Sequence, residues 1–254
     1  MLSKLPVPAI IAHRGSSAHA PENTLAAFRL AIEQGADGIE LDARLTSDNQ
    51  VVVFHDLTLD RITSVKGRVN RLTLADLQNL DAGSHFNTAF RGEKIPSLDD
   101  VLRTLGQSTF INIELKNHYS IFDPLPNQVA KLINRYDLQN RAIISSFNPI
   151  PLIRIRHLLP NTPTGLLSVR GTSGLLVRKW IGRNIKCQSF HIELNDITPA
   201  LINHIHQKGI LVLAYTVNQE EEMRNLFKMG VDGIITKDPI MARQTLNSIQ
   251  LSQQ

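Results

Sequence analysis

The 254-residue chain lacks several features that mark particular classes of protein. Cys187 is its only cysteine, so an intramolecular disulfide and a cysteine-rich zinc site are both excluded. No run of eighteen apolar residues occurs, and the first fifteen residues lack the hydrophobic core of a secretory signal. The basic residues are scattered, although the net charge is +4. These absences predict a cytoplasmic protein with no nucleic-acid partner and no stable membrane insertion.

Short β-rich runs alternate with longer amphipathic stretches along the chain. The content of 42% hydrophobic and 20% charged residues is typical of a globular protein. This alternation indicates repeated β-α units and predicts strands at 9–13, 38–42, 110–115, 142–146, 164–168, 189–194, 210–217 and 232–236. Eight strands with intervening helices in about 250 residues favour a (β/α)₈ barrel. We therefore expect a single α/β barrel domain over residues 1–254.

Polar residues at the element boundaries predict caps and turns. Residues 24–35 form an amphipathic stretch that Asn23 and Thr24 are expected to cap. Asp37 and Asp232 each precede a glycine at a helix-to-strand joint. Such joints lie at the end of a barrel that contributes stability, so we assign these two aspartates a structural role.

Residues 51–56 form a further strand-like run that does not fit the eightfold pattern. It follows the second strand after a short polar stretch, whereas a parallel crossover needs roughly a dozen residues or more. We therefore predict the returning arm of an antiparallel hairpin, which would bring His55 close to Glu40 and Asp42. Residues 57–97 would then form an insertion over the active-site face, where loops usually determine specificity.

Three carboxylates lie near the ends of predicted strands. Glu40 and Asp42 are two residues apart, as are Glu114 and Lys116, so each pair points to one side of its strand. Three carboxylates at one end of a barrel repel one another unless a cation neutralises them. Ligand sets made of oxygen favour magnesium or calcium over zinc. Glu40, Asp42 and Glu114 are therefore the predicted ligands of one divalent cation.

Two histidines and two cationic side chains are expected at the same end of the barrel. His13 and His55 titrate near neutrality and are suited to accept and donate a proton. Arg14 and Lys116 supply positive charge suited to a phosphoryl group. With a divalent cation, this set of groups fits phosphodiester cleavage, which requires both charge stabilisation and proton transfer.

The order of these motifs resembles that of the glycerophosphodiester phosphodiesterases, and in particular their bacterial cytosolic members. The resemblance rests on AHRG, APENT, ELDARLTSDNQVVVFHD, IELK, SSF, YTVN and GVDGIIT, and it extends from the N-terminal region to about residue 239. It implies hydrolysis of a small-molecule glycerophosphodiester, such as glycerophosphocholine or glycerophosphoethanolamine, to sn-glycerol 3-phosphate and an alcohol.

The resemblance also implies a role for each residue of the site. By motif position, His13 and His55 are the acid-base pair, and Arg14 and Lys116 bind the phosphate. The metal ligands are Glu40, Asp42 and Glu114, with Mg²⁺ or Ca²⁺ as the expected ion and Mn²⁺ as an alternative.

Several alternatives stay open at this point. The same site could act on lysophospholipids as a lysophospholipase D, or the chain could be a catalytically silent barrel that binds phosphorylated ligands. His191 either faces the pocket or packs inside the barrel. The preferred headgroup and assembly into a homodimer are likewise open. So is the choice between direct attack by water and a route through a cyclic phosphate intermediate.

Overall fold

A closed barrel of parallel strands forms the centre of the computed structural model, which describes residues 5–116, 123–171 and 186–252. The strands of the sheet are β1 (Ala9–His13), β2 (Gly38–Leu45), β3 (Val51–Val53), β4 (Phe110–Leu115), β5 (Ala142–Ser146), β6 (Thr164–Ser168), β7 (Ser189–Glu193), β8 (Leu211–Tyr215) and β9 (Gly233–Thr236). All except β3 pair in parallel, and pairing of β1 with both β2 and β9 closes the sheet. The predicted (β/α)₈ barrel is confirmed.

Helices connect the strands and cover the outside of the barrel. In the described residues they are α1 (Leu25–Glu33), α2 (Leu74–Gln78), α3 (Leu98–Leu105), α4 (Leu125–Arg135), α5 (Pro149–Leu158), α6 (Pro199–His206), α7 (Glu220–Met229) and α8 (Pro239–Leu251). As predicted, Thr24 caps α1, and its hydroxyl accepts a hydrogen bond from the Ala27 amide at 3.2 Å. None of the helices in these ranges has the length and apolarity that a membrane span requires.

The core lies between the barrel and its helices. The strands are buried on both faces, as expected for a parallel barrel that is filled inside and covered outside. Ile10, Ile39 and Ile111 are fully or almost fully buried and belong to one apolar cluster with Phe28 of α1. Burial of these side chains against the helices stabilises the barrel.

The N-terminal ends of the strands form the barrel floor, where Asp37 and Asp232 lie. One carboxylate oxygen of Asp37 accepts a hydrogen bond from the Ile10 amide at 2.8 Å, and Arg243 donates to the other at 2.7 Å. Asp232 accepts a hydrogen bond from the Val212 amide at 2.7 Å. Both carboxylates thus join adjacent strands, which supports the structural role predicted for them.

The predicted hairpin is present between β2 and β3. Strand β2 continues to Leu45, beyond the predicted end, and β3 pairs with it antiparallel so that Ala43 faces Val53 and Leu45 faces Val51. This return places His55 two residues after β3, close to the barrel.

Residues 57–97 leave the barrel and pack around a small apolar cluster of their own. They contain α2 and the 3₁₀ turns Val69–Arg71 and Thr88–Phe90. The buried members of the cluster, two of which come from the end of the hairpin, are Val52, Phe54, Leu59, Ile62, Val69, Leu77, Ala82 and Ile95. Glu93 also accepts a hydrogen bond from the Ala26 amide at 3.2 Å, which ties this segment to the start of α1.

Candidate active site

Three neighbouring strands bring the predicted site residues to the barrel rim, where the C-terminal ends of the strands lie. His13 of β1 pairs in register with Glu40 of β2, and Asp42 pairs with Glu114 of β4. Lys116 follows two residues after Glu114 and therefore points to the same side. The parallel register thus assembles side chains that are up to about a hundred positions apart in the chain.

The three predicted metal ligands form a buried cluster. One oxygen from each of Glu40, Asp42 and Glu114 lies within 4.8 Å of the other two. The Arg14 amide donates a hydrogen bond to Glu40 Oε2 at 3.0 Å, while Glu40 Oε1 is buried without a hydrogen-bond partner in the described part of the chain. A buried carboxylate oxygen without a donor is costly, and a cation can satisfy it. The cluster is therefore a donor set that could hold a hard divalent metal ion.

The electrostatics of the cluster also fit the binding of a cation. Burial raises the pKa of Glu114 to about 7, and it raises the pKa of Glu40 well above its usual value. Burial would raise the pKa of Asp42 as well, but the positive charges of Lys116 and Arg14 outweigh it and hold that pKa well below its usual range. Thus the two side-chain cations hold the pKa of Asp42 low, whereas burial dominates the pKa of Glu40 and of Glu114.

The two predicted phosphate-binding residues contact these carboxylates directly. Lys116 Nζ lies 3.1 Å from an oxygen of Asp42 and 2.6 Å from one of Glu114. Arg14 Nε lies 3.2 Å from the other oxygen of Asp42, and Arg14 Nη1 donates a hydrogen bond to Glu22 at 3.0 Å. Both cations are thereby held at the rim.

Backbone geometry after β1 explains the glycine of the AHRG motif. Arg14 and Gly15 both adopt positive φ angles, of 58° and 82°. A Cβ on Gly15 would lie 2.7 Å from the backbone of Ala27 in α1, far inside van der Waals contact. Glycine therefore allows the loop to pack against α1 and to aim Arg14 at the carboxylates.

The two histidines occupy different environments. His13 Nε2 lies 4.0 Å from Glu40 Oε2, and burial lowers the pKa of His13 to about 3, so its imidazole is neutral. His55 is more exposed, at 31% of its side chain, and its Nδ1 lies 2.6 Å from Asp56. Burial lowers the pKa of His55 too, while the hydrogen bond with Asp56 acts in the opposite direction.

These side chains surround one cavity of about 160 Å³. Its wall contains charged and polar groups as well as apolar and aromatic ones. Its lining residues are His13, Arg14, Glu40, His55, Asn112, Glu114, Lys116, Phe147, Leu167, Tyr215, Thr216 and Ile235. Of the seven site residues predicted from the sequence, six line the cavity, and Asp42 is fully buried and contacts Arg14 and Lys116 of that lining.

The structure also shows the contacts of Asn23 and His191, two further residues considered in the sequence. Asn23 does not cap α1, contrary to the prediction: its side-chain amide donates a hydrogen bond to Asp42 at 2.8 Å. His191 packs inside the barrel, fully buried, with Nε2 3.0 Å from the Ser189 hydroxyl. A Cβ on Gly165 would lie 2.5 Å from this His191 nitrogen, so glycine makes room for the ring.

Two acidic residues next to the site were missed altogether. Glu22 lies within APENT and contacts Arg14, and Asp56 directly follows His55 and contacts its ring. Their position inside the motifs was the available signal. The sequence does not reveal that each one contacts a neighbouring site residue.

The family profile described as the glycerophosphoryl diester phosphodiesterase family matches residues 13–241 of the chain. A glycerophosphodiester phosphodiesterase of Caldanaerobacter subterraneus subsp. tengcongensis is 41% identical over 232 residues, which cover 91% of this chain and 94% of that protein. One of Bacillus altitudinis is 33% identical over 234 residues, with the same coverage.

A solved structure of similar fold adds a bound molecule to this comparison. It is a phosphodiesterase from Oleispira antarctica in complex with the product sn-glycerol-3-phosphate, with a TM-score of 0.87 and 30% sequence identity. The match covers 95% of this chain and 97% of that one. The profile match and the extent of the identity show that this chain belongs to the glycerophosphoryl diester phosphodiesterase family.

Proposed function

We propose that this glycerophosphodiester phosphodiesterase hydrolyses glycerophosphocholine, glycerophosphoethanolamine and related diesters to sn-glycerol 3-phosphate and a free alcohol. The observation that carries the proposal is the convergence on one cavity of two imidazoles, two cations and a buried cluster of three carboxylates. The similar Oleispira antarctica protein binds sn-glycerol-3-phosphate, and a cavity of this size and charge suits the same product.

Glu40, Asp42 and Glu114 would hold one divalent cation. Their ligand atoms are all oxygens, which favours Mg²⁺ or Ca²⁺, with Mn²⁺ as an alternative. A bound cation of this kind supplies Lewis-acid stabilisation of charge on a phosphoryl oxygen.

Arg14 and Lys116 would bind the phosphoryl group. The guanidinium of Arg14 is already held by Glu22 and by Asp42, so it presents its remaining N–H groups in a fixed direction. The ammonium of Lys116 pairs with Asp42 and Glu114, and it becomes available to a phosphoryl oxygen when those carboxylates are neutralised.

His13 and His55 would carry out proton transfer. The neutral imidazole of His13 suits the acceptor, which takes the proton from the attacking oxygen. His55 suits the donor to the leaving alcohol, because the Asp56 carboxylate orients its ring and offsets part of the lowering of its pKa by burial. The attacking oxygen belongs either to water or to a neighbouring glycerol hydroxyl, and both routes begin with the same proton transfer.

The test is release of sn-glycerol 3-phosphate from glycerophosphocholine by the purified protein, followed with a coupled dehydrogenase. We expect no release in EDTA and recovery on addition of Mg²⁺, Ca²⁺ or Mn²⁺. Glycerophosphoethanolamine and a long-chain lysophosphatidylcholine, assayed in parallel, rank the substrates.

Two outcomes would contradict the proposal. Faster headgroup release from the lysolipid than from glycerophosphocholine would favour a lysophospholipase D. Binding of sn-glycerol 3-phosphate by folded protein, with no product under any metal, would favour the silent barrel. The single-domain organisation of residues 1–254, a cytoplasmic location and assembly into a homodimer stay predictions.

A further inference from the structure

A second set of charged residues, which we call the Arg61 bridge, lies next to the cavity and consists of Glu22, Asp56 and Arg61. Arg61 Nη1 and Nη2 donate hydrogen bonds to the two oxygens of Glu22 at 2.9 and 2.7 Å. Arg61 Nε donates to Asp56 at 2.7 Å. One guanidinium therefore holds two carboxylates, and each carboxylate also contacts a residue of the proposed site.

The first arm of the bridge runs from Arg61 through Glu22 to Arg14, the proposed phosphate-binding residue. Glu22 Oε1 accepts hydrogen bonds from both Arg14 and Arg61, at 3.0 and 2.7 Å. Burial alone would raise the pKa of Glu22, but the hydrogen bonds from Arg61 and the charge of Arg14 bring it below its usual value. Glu22 is therefore an ionised anchor for Arg14. Without Arg61, Oε2 of Glu22 would lose its only hydrogen-bond partner among the described residues, and the carboxylate could rotate.

The second arm runs from Arg61 through Asp56 to His55, the proposed proton-transfer residue. Asp56 uses Oδ1 for His55 Nδ1, at 2.6 Å, and Oδ2 for Arg61 Nε, at 2.7 Å. With both oxygens engaged, the carboxylate plane is fixed and so is the ring that it contacts. This contact leaves Nε2 of His55 as the nitrogen for proton transfer.

The geometry differs from that of an ordinary surface ion pair. The side chain of Arg61 is 48% exposed, yet it makes three charge-assisted hydrogen bonds to two carboxylates. Arg135, 64% exposed, makes one such contact, with Asp99 at 2.8 Å. An exposed ion pair such as Arg135 with Asp99 contributes little to stability. The planar guanidinium of Arg61, which holds two carboxylates, fixes their relative orientation.

The backbone that carries Arg61 is itself well anchored. Leu59 and Ile62, on either side of it, are buried in the apolar cluster of residues 57–97. The Ile62 and Thr63 amides both donate hydrogen bonds to the Leu59 carbonyl, at 3.2 and 3.0 Å. The packing of this segment therefore determines where the guanidinium lies relative to the barrel rim.

We propose that Arg61 is a positioning residue of this enzyme, which orients Arg14 through Glu22 and His55 through Asp56. The inference rests on the proposed function, since it assigns Arg14 to the phosphate and His55 to proton transfer. It also assigns residues 57–97 a part in the reaction: through Arg61 this segment sets the relative geometry of the two sides of the site.

The first test compares Arg61→Gln with Arg135→Gln, which makes the same chemical change at a surface ion pair away from the cavity. The measurements are kcat and KM for glycerophosphocholine with Mg²⁺, and the dissociation constant for sn-glycerol 3-phosphate by calorimetry. We expect Arg61→Gln to lower kcat by about 10-fold or more and to raise both KM and the dissociation constant. Arg135→Gln should match the wild type in all three.

A second set of variants separates the two arms. Asp56→Asn should lower kcat with little change in KM, and Glu22→Gln should mainly raise KM and the dissociation constant. Combining either change with Arg61→Gln should cost less than the product of the single effects, because Arg61 acts through the same carboxylates. Arg61→Lys should recover at most one arm, since an ammonium lacks the fork that spans both.

The outcomes that overturn the inference are distinct from those that overturn the proposed function. A folded Arg61→Gln protein with wild-type kcat, KM and dissociation constant removes the positioning role. So does a loss of activity that follows only the folded fraction, as judged by circular dichroism and thermal melting. If the wild type releases no product, the proposed function fails, yet sn-glycerol 3-phosphate binding still tests the Arg14 arm, and an unchanged dissociation constant refutes it.

Discussion

The two ends of the barrel place carboxylates in opposite situations. At the floor, Asp37 accepts a hydrogen bond from a backbone amide and pairs with Arg243. At the rim, Glu40, Asp42 and Glu114 lie within 4.8 Å of one another, and burial raises the pKa of two of them. The same strands carry both sets of carboxylates, but the carboxylates at the two ends differ in their hydrogen bonds.

The comparison indicates what each end contributes. A carboxylate whose oxygens are fully engaged by the fold stabilises that fold and has little capacity left for a ligand. Clustered carboxylates with raised pKa values reduce stability, so their presence calls for a functional explanation. Substitutions at the floor and at the rim should therefore have opposite effects on stability and activity.

The largest effect is expected from the rim histidines. His13→Ala and His55→Ala should each lower kcat by about 10²-fold or more, because general acid-base catalysis contributes a factor of this size. The measurement is kcat at saturating Mg²⁺ and glycerophosphocholine, with circular dichroism to verify folding. A folded variant with the wild-type rate would remove that histidine from the mechanism.

The next effect concerns the metal cluster. Glu40→Gln should raise the Mg²⁺ concentration needed for half-maximal activity by about 10-fold or more, since a charged ligand is lost. The amide oxygen can still accept the hydrogen bond from the Arg14 amide, and repulsion with Asp42 and Glu114 is relieved. The melting temperature in EDTA should therefore be unchanged or higher than in the wild type. An unchanged Mg²⁺ titration would assign the ligand role elsewhere.

The smallest effect on activity is expected at the floor. Asp37→Ala leaves the buried Ile10 amide without its acceptor and Arg243 without its carboxylate, so the free energy of unfolding should fall by about 1–3 kcal/mol. Urea unfolding measures this change, and kcat per folded molecule should stay at the wild-type value.

Asp99→Ala serves as the matched control for the floor. Asp99 forms an exposed ion pair with Arg135, and its loss should change stability by no more than about 1 kcal/mol. Equal losses of stability in the Asp37 and Asp99 variants, or a large fall in kcat for Asp37→Ala, would contradict the proposal that floor carboxylates serve stability and rim carboxylates serve activity.

Local patterns account for the parts of the fold that the sequence predicted correctly. Short β-rich runs between longer amphipathic stretches located the strands, and the short connection at 46–50 required the antiparallel hairpin that the structure contains. The two-residue spacing predicted that Glu40 and Asp42 point to the same side of their strand, and that Glu114 and Lys116 do so on theirs. These are properties of neighbouring residues, so a single sequence reveals them.

Contacts across the fold account for most of what was missed. Asparagine commonly caps helices, yet the side chain of Asn23 forms a hydrogen bond with Asp42, nineteen residues away. Arg61 lies 39 positions from Glu22, and no periodicity connects them. Glu22 and Asp56 were visible within their motifs, but their partners are set by how residues 57–97 pack against the rim.

The sequence by itself determined the barrel, the hairpin, and the choice of carboxylates, imidazoles and cations at the strand ends, because strand period and connection length are local constraints. Only the tertiary structure decided which of these groups are buried, which oxygens lack a donor and which cation holds which carboxylate. The physical reason is that burial and hydrogen-bond completion depend on every element packed around a group. For Glu40, this means strands β1, β2 and β4 together with the loop that carries Arg14.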